Sequence, residues 1–306
     1  MQQRIVTITV NPALDVASVV PQLMPERKLR CDGPTREAGG GGVNVARAIH
    51  ALGGEATACV ALGGATGEVV LSLLEAEGVA TRVVRTREWT RENVNIVERA
   101  TGNQYRFCMP GPRLADAEWQ QLIDQAASLE PALVVMSGSL AAGVPTDFYA
   151  RAANRLGGRI IVDTSGDALL ACCAAGAYLI KASLRELATL VGVSRVDEGQ
   201  LRQVTAQAVA RGACEVLVVS LGAGGALWTT ATEQQRLFAP AVPVRSSVGA
   251  GDTMVAAIAL ALARGGSLAE AVRYGVAAGS ATVMRPGTAL CRREDVEQLL
   301  ANVRVA

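Results

Sequence analysis

The stretch Ser-Val-Gly-Ala-Gly-Asp-Thr-Met at residues 247–254 runs directly into the apolar, alanine-rich segment 255–263, which ends at Arg264. This pattern predicts a helix over 252–263, whose first turn has free backbone N–H groups and the positive end of the helix dipole. Small residues before such a turn let an anion approach the backbone closely. Asp252 stands at the start of the helix, where a carboxylate either accepts a proton from an attacking hydroxyl or only caps the helix.

The composition describes a chain with a large core and little electrostatic attraction for nucleic acids. Half of the 306 residues are hydrophobic but only 3% are aromatic, so Ala, Val and Leu must fill the core. The 29 basic and 28 acidic residues leave a net charge of +1, with no polybasic tail. We therefore expect no nucleic-acid partner. No apolar run of about 18 residues could span a membrane and no signal-peptide core is present, so we expect a cytoplasmic protein.

The cysteines and the single histidine exclude several kinds of site. The seven cysteines are an odd number without a CxxC motif, and the adjacent pair Cys172 and Cys173 has poor geometry for a disulfide. Reduced cytosolic thiols are the expectation. His50 is the only histidine and lies in a helical pattern. A Ser-His-Asp triad or a multi-histidine zinc site is therefore not expected.

Short β-rich runs alternate with longer helical patterns along most of the chain. The predicted strands are 5–10, 58–61, 133–136, 159–162, 179–181 and 216–220. The predicted helices are 43–52, 67–77, 116–128, 146–156, 184–191, 198–211, 252–263 and 268–284. This alternation is typical of the α/β class, in which helices cover both faces of a mostly parallel sheet.

Two stretches, 16–31 and 93–107, show polar–apolar alternation instead of the βα pattern. Residues 100–103, Ala-Thr-Gly-Asn, form a hairpin turn signal inside the second stretch. We expect the two stretches to form a small separate sheet that projects from one domain spanning residues 1–306. No linker, low-complexity segment or internal repeat divides the chain.

Two further segments on the predicted sheet can contact a ligand. Four consecutive glycines, residues 39–42, precede a helix that contains Asn44, and they either let a ligand approach the backbone or form a flexible turn. The pattern is neither a P-loop nor a dinucleotide fingerprint. Asp15 follows the first strand, where ligands bind in parallel sheets, so it either accepts hydrogen bonds from sugar hydroxyls or stabilises a turn.

Basic side chains near the predicted small sheet indicate a phosphate site. Lys28 and Arg30 alternate with Leu29, so on a strand they share one face, and Arg91 comes just before the hairpin. Together these cations can bind a phosphate, whereas each alone also fits an ordinary surface charge.

Two segments that follow strands indicate a nucleotide and metal site. Glu186 opens a helix after the strand that ends at Lys181, and it either acts through Mg²⁺ and its waters or is an ordinary first-turn glutamate. The run from Ser220 through Gly222 to Gly225 either forms a nucleotide-binding turn or a tight connection between strands.

These motifs together resemble the ribokinase/PfkB family of sugar kinases over residues 11–288. The regions 39–44 and 247–253 carry its two signatures. Three segments, 28–31, 39–49 and 105–111, are most similar to the minor 6-phosphofructokinase branch. A 1-phosphofructokinase usually has a lysine within the glycine run, where this chain has glycine. Tagatose-6-phosphate kinase and 1-phosphofructokinase activities stay open as alternatives.

The resemblance implies a three-layer α/β/α sandwich with a small β-sheet lid, and ATP-dependent phosphorylation of fructose 6-phosphate at its C1 hydroxyl with Mg²⁺. It assigns Asp252 as the base and Gly249, Ala250 and Gly251 as the anion hole. The sugar-side residues that it implies are Asp15, Gly40, Gly41, Asn44 and Ser139, with Lys28, Arg30 and Arg91 on the substrate phosphate. The nucleotide-side residues are Lys181, Ser183, Ser220, Gly222 and Gly225, with Glu186 on the metal.

The resemblance also implies a homodimer formed through the lids, and K⁺ binding near Val248 and Arg285. One position departs from the family pattern, because Ser183 stands where the family usually has asparagine. The serine hydroxyl can still reach a metal-bound water, but it is shorter. A catalytically weak sensor of sugar phosphate or nucleotide is therefore the alternative from a different functional class.

Overall fold

The computed structural model describes residues 2–306, which form two β-sheets and a set of surrounding helices. The strands are β1 (Ile5–Thr9), β2 (Ala13–Val20), β3 (Thr35–Gly39), β4 (Thr57–Leu62), β5 (Ala80–Arg85), β6 (Arg91–Glu98), β7 (Gln104–Cys108), β8 (Leu133–Ser137), β9 (Arg159–Asp163), β10 (Ala177–Ser183), β11 (Cys214–Ser220), β12 (Ala226–Thr229), β13 (Gln234–Phe238) and β14 (Arg304–Val305). The helices are α1 (Gly41–Ala51), α2 (Gly64–Ala76), α3 (Asp116–Ala127), α4 (Phe148–Leu156), α5 (Gly166–Ala174), α6 (Leu184–Val191), α7 (Leu201–Ala210), α8 (Ala250–Ala263), α9 (Leu268–Val283) and α10 (Arg293–Leu300).

The main sheet has ten strands in the order β14-β13-β12-β11-β10-β9-β8-β1-β4-β5. The seven strands from β11 to β5 are parallel, and β12, β13 and β14 extend the sheet in antiparallel fashion. Apolar cores lie on both faces, with α3 to α7 contributing to one and α1, α8, α9 and α10 contributing to the other. The predicted α/β/α sandwich is confirmed. Within residues 2–306, no helix has the length and apolarity needed to cross a bilayer.

Helix α8 lies in the middle of one helical layer and is buried along nearly its whole length. Its alanines leave room for close packing, and a Cβ at Gly275 of α9 would lie 2.7 Å from Ile258. A helix that is apolar on all sides is held in place by its neighbours rather than by its own surface. The packing therefore fixes the direction of α8 and places its first turn at one edge of the sheet.

The second sheet, here called the lid, has the order β3-β2-β6-β7 and lies outside the main sheet. The predicted ranges 16–31 and 93–107 differ from the strands observed. Strand β2 begins at Ala13, residues 21–34 form no strand, and β3 was not predicted. Pro21, Pro25 and Pro34 lie in this segment and cannot donate to a ladder, which explains why the alternating pattern does not continue as a strand.

Candidate active site

The carboxyl ends of three parallel strands meet the N-terminus of α8, and the polar side chains at these ends form one cluster. Ser137 ends β8, Asp163 ends β9 and Lys181 lies near the end of β10. Asp252 is in the first turn of α8 and reaches into the same cluster. The crevice outside the carboxyl ends of the strands is where open α/β sheets bind ligands.

Asp252 is held by side chains from two other elements. The Asn44 amide on α1 donates a hydrogen bond to Asp252 Oδ2 at 2.9 Å, and the Ser137 hydroxyl donates to Oδ1 at 3.5 Å. Burial and the nearby Asp163 carboxylate raise the pKa of Asp252 to about 7, although the two hydrogen bonds and Lys181 act in the opposite direction. A carboxylate with a pKa near neutrality is well matched to accepting a proton from a hydroxyl.

The glycines before Asp252 shape the start of α8. Gly249 has φ +75°, a left-handed conformation that favours glycine. A Cβ on Gly251 would lie 2.8 Å from the Lys181 ammonium, so the Lys181 side chain passes directly beside the backbone of the first turn. Free N–H groups, the helix dipole and an ammonium group therefore all lie at the same position, which suits a polyanion.

Lys181 and Asp163 form a buried ion pair behind this turn. The Lys181 Nζ lies 3.2 and 3.1 Å from the two carboxylate oxygens of Asp163, and both side chains are about nine-tenths buried. Burial lowers the pKa of Lys181, but the Asp163 and Glu186 carboxylates outweigh burial and raise it above its ordinary value. Lys181 therefore remains an ammonium. Asp163 was missed by the sequence analysis, although it directly follows the predicted strand 159–162.

The glycine run is packed against the cluster rather than standing free. Gly40 has φ +110° and caps α1. A Cβ on Gly41 would lie 2.3 Å from the Ser137 hydroxyl, and one on Gly39 would lie 2.2 Å from Asp15 Oδ2. Side chains at these positions would displace the polar groups on both sides of the run, so glycine is required by close approach as well as by backbone conformation.

Asp15 and Ser139 lie on the lid side of the cluster. Asp15 Oδ1 accepts a hydrogen bond from the Asn93 amide on the neighbouring strand β6 at 2.8 Å. Burial raises the pKa of Asp15, although the hydrogen bond from Asn93 and the positive charge of Arg91 oppose the shift. The Ser139 hydroxyl is exposed and accepts a hydrogen bond from the Asn11 amide at 3.2 Å. These groups offer hydrogen-bonding partners to a polyol.

Of the three predicted phosphate-binding cations, the structure of residues 2–306 connects only Arg91 to the residues beside Asp15. The Arg91 guanidinium donates to the backbone carbonyls of Asn11 and Met109 at 3.2 and 3.3 Å, beside Asp15. Lys28 and Arg30 are exposed in the segment 21–34, and the strand that would place them on one face does not form. Within residues 2–306, no hydrogen bond or ion pair connects either of them to the cluster around Asp252.

Glu186 is engaged at the start of α6 in a reciprocal cap. The Ser183 N–H donates to Glu186 Oε2 at 2.6 Å, and the Glu186 N–H donates to the Ser183 hydroxyl at 3.3 Å. These hydrogen bonds fit the interpretation of Glu186 as an ordinary first-turn glutamate. Its negative charge also raises the pKa of Lys181. Across residues 2–306, no three His, Cys, Asp or Glu side chains come together as a ready metal-ligand set.

A cleft of about 600 Å³ opens beside the first turn of α8. Its lining includes Ser220, Gly222, Gly225, Val276 and Val283. Gly225 has φ +92°, and a Cβ there would lie 2.2 Å from the Leu237 carbonyl. The glycine turn therefore connects the antiparallel strands β11 and β12 and also borders the cleft, so the two predicted roles are compatible.

Comparison with known proteins agrees with this arrangement. The model of the pfkB family carbohydrate kinases matches residues 7–295. The ATP-dependent 6-phosphofructokinase isozyme 2 of Escherichia coli (strain K12) is 45% identical over 303 residues, which cover 97% of this chain and 98% of that protein.

Solved structures give the same result. The phosphofructokinase-2 of Escherichia coli in complex with potassium matches with a TM-score of 0.94 and 44% identity, over 98% of this chain and 99% of that one. The same enzyme in complex with fructose-6-phosphate matches with a TM-score of 0.92 and 43% identity, over the same shares of the two chains. With its signature segments around Asn44 and Asp252 forming one cluster, the chain belongs to the pfkB family of carbohydrate kinases.

Proposed function

We propose that this protein is an ATP-dependent 6-phosphofructokinase that converts fructose 6-phosphate to fructose 1,6-bisphosphate. The observation that carries the proposal is the Asp252 carboxylate, held by Asn44 and Ser137 at the start of a buried helix, with a pKa of about 7. The similarity to proteins of that name over nearly the whole chain supports the choice of substrate.

In the proposed reaction, Asp252 accepts the proton of the C1 hydroxyl. The C1 oxygen forms a bond to the γ-phosphorus of ATP, while the bond from that phosphorus to the bridging oxygen breaks and ADP leaves with the electron pair. Backbone N–H groups of Gly249, Ala250 and Gly251 and the Lys181 ammonium stabilise negative charge on the moving phosphoryl group. Asp163 holds the ammonium in place through the ion pair at 3.1 Å.

The nucleotide and its Mg²⁺ are assigned to the side of the site with the 600 Å³ cleft. The cleft is apolar where an adenine ring would lie, and Ser220, Gly222 and Gly225 border it. Glu186, with Ser183 beside it, offers oxygen atoms, which Mg²⁺ prefers, and Mg²⁺ commonly retains waters instead of requiring a full protein cage. Bound there, Mg²⁺ neutralises charge on the nucleotide phosphates.

The sugar is assigned to the lid side. Asp15, Asn44 and Ser139, together with the backbone of Gly40 and Gly41, face its hydroxyl groups. Arg91 binds the phosphate already on the sugar, and Lys28 and Arg30 in the exposed segment 21–34 are assigned to the same phosphate.

We also propose a homodimer formed through the lids, and activation by K⁺. The outer strand β7 exposes Tyr105 and Phe107, and Met109 follows directly, which leaves an apolar surface on the lid. Sedimentation should give twice the monomer mass, and Phe107→Glu should lower it if the lids are paired. Replacing K⁺ by tetramethylammonium should lower the rate. A cytoplasmic location fits the seven free cysteines.

An ADP-release assay with a panel of sugars tests the proposed activity. Fructose 6-phosphate should give the highest kcat/KM, and tagatose 6-phosphate, fructose 1-phosphate and fructose should follow well behind. A preference for either of the other phosphosugars would replace the substrate assignment. Binding of fructose 6-phosphate in calorimetry without any ADP release would identify the protein as a sensor instead.

A further inference from the structure

A small cavity of about 100 Å³ lies between the inner face of the lid and the segment that precedes α8. This lid cavity is lined by Asp15, Asn93, Asn95, Arg106, Cys108 and Thr288. Only Asp15 in this set was assigned a role from the sequence, and it belongs to the proposed sugar site. The cavity therefore continues the sugar site along the lid.

Asn95 is buried in the lid with its hydrogen-bonding groups unused. Asn95 is only 7% exposed. Neither its Oδ1 nor its Nδ2 has a hydrogen-bond partner within residues 2–306. Asn93, two positions earlier on β6, donates to Asp15 but also has an unpaired, buried Oδ1. An amide brings two donors and one acceptor, and burying them without partners is costly. These atoms are therefore free to bind a polar ligand that enters the cavity.

The strand register of the lid shows which residues share its inner face. Asp15 on β2 is opposite Asn93 on β6, and Ala17 is opposite Asn95, so residues 15, 93 and 95 share one side of the sheet. On the next strand, Arg106 is opposite Asn95 and Cys108 is opposite Asn93. The two asparagines thus form a row of amides that begins at the carboxylate of Asp15 and runs deeper under the lid.

The chemistry of this row favours a polyol over an anion. A hydroxyl group both donates and accepts, so neighbouring hydroxyls can satisfy the amide oxygen and the amide nitrogen of one asparagine. A phosphate only accepts, and it would leave the amide oxygens unpaired beside the Asp15 carboxylate. We propose that Asn95 binds hydroxyl groups of the sugar ring, as a substrate-binding residue next to Asp15. The proposal rests on the proposed function and specifies which lid side chain recognises the sugar.

The first test is the affinity of Asn95→Ala for fructose 6-phosphate, measured by calorimetry without ATP. Loss of hydrogen bonds between neutral partners should weaken binding by about 3- to 10-fold. The KM for ATP should stay unchanged. Asn103→Ala, in the exposed turn between β6 and β7, is the matched control and should bind like the wild type. Unchanged affinity in a folded Asn95→Ala variant overturns the proposal.

The second test, Asn95→Asp, separates hydroxyl groups from phosphate. A carboxylate still accepts hydrogen bonds from hydroxyls, so this variant should bind fructose 6-phosphate more tightly than Asn95→Ala. If Asn95 faced the phosphate instead, the new negative charge would repel it, and Asn95→Asp would bind more weakly than Asn95→Ala. That second result overturns the assignment to ring hydroxyls.

Cys108 gives a readout that does not depend on catalysis. Its thiol is exposed and borders the lid cavity. Fructose 6-phosphate should slow alkylation of Cys108 by iodoacetamide, as followed by peptide mass spectrometry. In Asn95→Ala, about 3- to 10-fold more sugar phosphate should be needed for half-protection. Equal alkylation rates of Cys108 with and without saturating substrate overturn the proposal.

Two other outcomes have separate signatures. If the wild-type protein neither binds nor phosphorylates fructose 6-phosphate, the proposed function is wrong. If the wild-type protein binds fructose 6-phosphate and Asn95→Ala binds it equally well, only the proposal on Asn95 is wrong. If Asn95→Ala lowers the mass of the assembly in sedimentation while its affinity for the sugar phosphate is unchanged, the amide serves contact between subunits and the proposal is overturned.

Discussion

The cluster at the start of α8 and the face of the lid differ in how completely their polar groups are paired. Around Asp252, the amide of Asn44 and the ion pair between Lys181 and Asp163 are already in place. Under the lid, both polar atoms of the Asn95 side chain are unpaired within residues 2–306. The outer strand β7 is exposed along its length, including Tyr105 and Phe107.

This difference separates chemistry from recognition. The groups around Asp252 are positioned by the main sheet and by a helix that is buried along nearly its whole length, so the protein arranges them without help from a ligand. The lid is a four-stranded sheet with unpaired polar groups on its inner face and apolar side chains on its outer strand. We expect changes near Asp252 to reduce the rate, and changes in the lid to reduce affinity.

Asp252→Asn should have the largest effect. Asparagine has the same shape but cannot accept the proton, so kcat should fall by about 10²–10⁴ while the affinity for substrates stays within a few-fold. Asparagine at this position can still accept the hydrogen bond from Asn44, so the fold of the cluster should be kept. A kcat close to that of the wild type would show that Asp252 is not the base and would remove the contrast between the two regions.

The same variant should also be more stable than the wild type at high pH. Folding raises the pKa of Asp252 from 3.8 to about 7, so its ionised form is disfavoured in the folded protein. The stability that the protonated group contributes is present below pH 4 and is lost as the pH rises through 7. At pH 8, Asp252→Asn should gain up to about 4 kcal/mol in the free energy of unfolding.

Denaturant unfolding between pH 8 and pH 4 measures this gain, which should shrink steadily below pH 7. Asp147→Asn is the matched control, because a hydrogen bond from Arg151 lowers the pKa of this exposed carboxylate. Its variant should lose stability at neutral pH instead. A gain for Asp252→Asn that does not depend on pH would contradict the burial of a charge at that position.

Arg91→Ala tests recognition on the lid side. Each charge-assisted hydrogen bond contributes roughly 1.5–3 kcal/mol, so the KM for fructose 6-phosphate should rise by about tenfold or more. The KM for ATP should hardly change, and unphosphorylated fructose should be affected little. Arg85→Ala, which removes an exposed partner of Glu68, is the control. Equal small increases in KM for both sugars would show that Arg91 is a structural residue, which only donates hydrogen bonds to the backbone carbonyls of residues 11, 12 and 109.

Glu186→Gln should have the smallest effect on activity. The substitution removes the negative charge of the side chain and keeps its shape. Glutamine at this position can still complete the cap with Ser183, so stability should be unchanged. The Mg²⁺ concentration for half-maximal rate should rise by up to about tenfold. This is the lower end of the loss in metal affinity expected when a group that holds a metal-bound water is removed. Glu270→Gln, in the same kind of cap with Ser267 on α9, is the matched control. An identical Mg²⁺ titration for both variants would assign Glu186 to the helix start alone.

The sequence predicted the main domain well because its patterns are local. The helix at 184–191 was predicted to the residue, since a strand and a first-turn glutamate mark its start. Strands β5, β13 and β14 and helices α5 and α10 were missed, because short segments with mixed composition give little periodic signal. The predicted lid stretch 16–31 was wrong over residues 21–31, where the alternating pattern continues through Pro21 and Pro25 but no strand forms.

The site was predicted in part for the same reason. Asp252, Asn44 and Lys181 stand in recognisable local motifs and meet in the structure. The ion pair of Lys181 with Asp163 joins residues on neighbouring parallel strands, and nothing in the local sequence of either indicates the other. Lys28 and Arg30 show the opposite error, because alternation suggested a shared face that depends on a strand absent from the structure.

The contact between Gly251 and Lys181 means that neither position can change without affecting the other. The space for a Cβ at position 251 is occupied by the lysine ammonium, 2.8 Å away. A side chain at position 251 therefore pushes the Lys181 ammonium out of its present position, away from the first turn of α8 and from Asp163. Removing Lys181 leaves Asp163 buried and without its partner. The glycine and the ion pair are therefore coupled, so a substitution at either one changes the surroundings of the other.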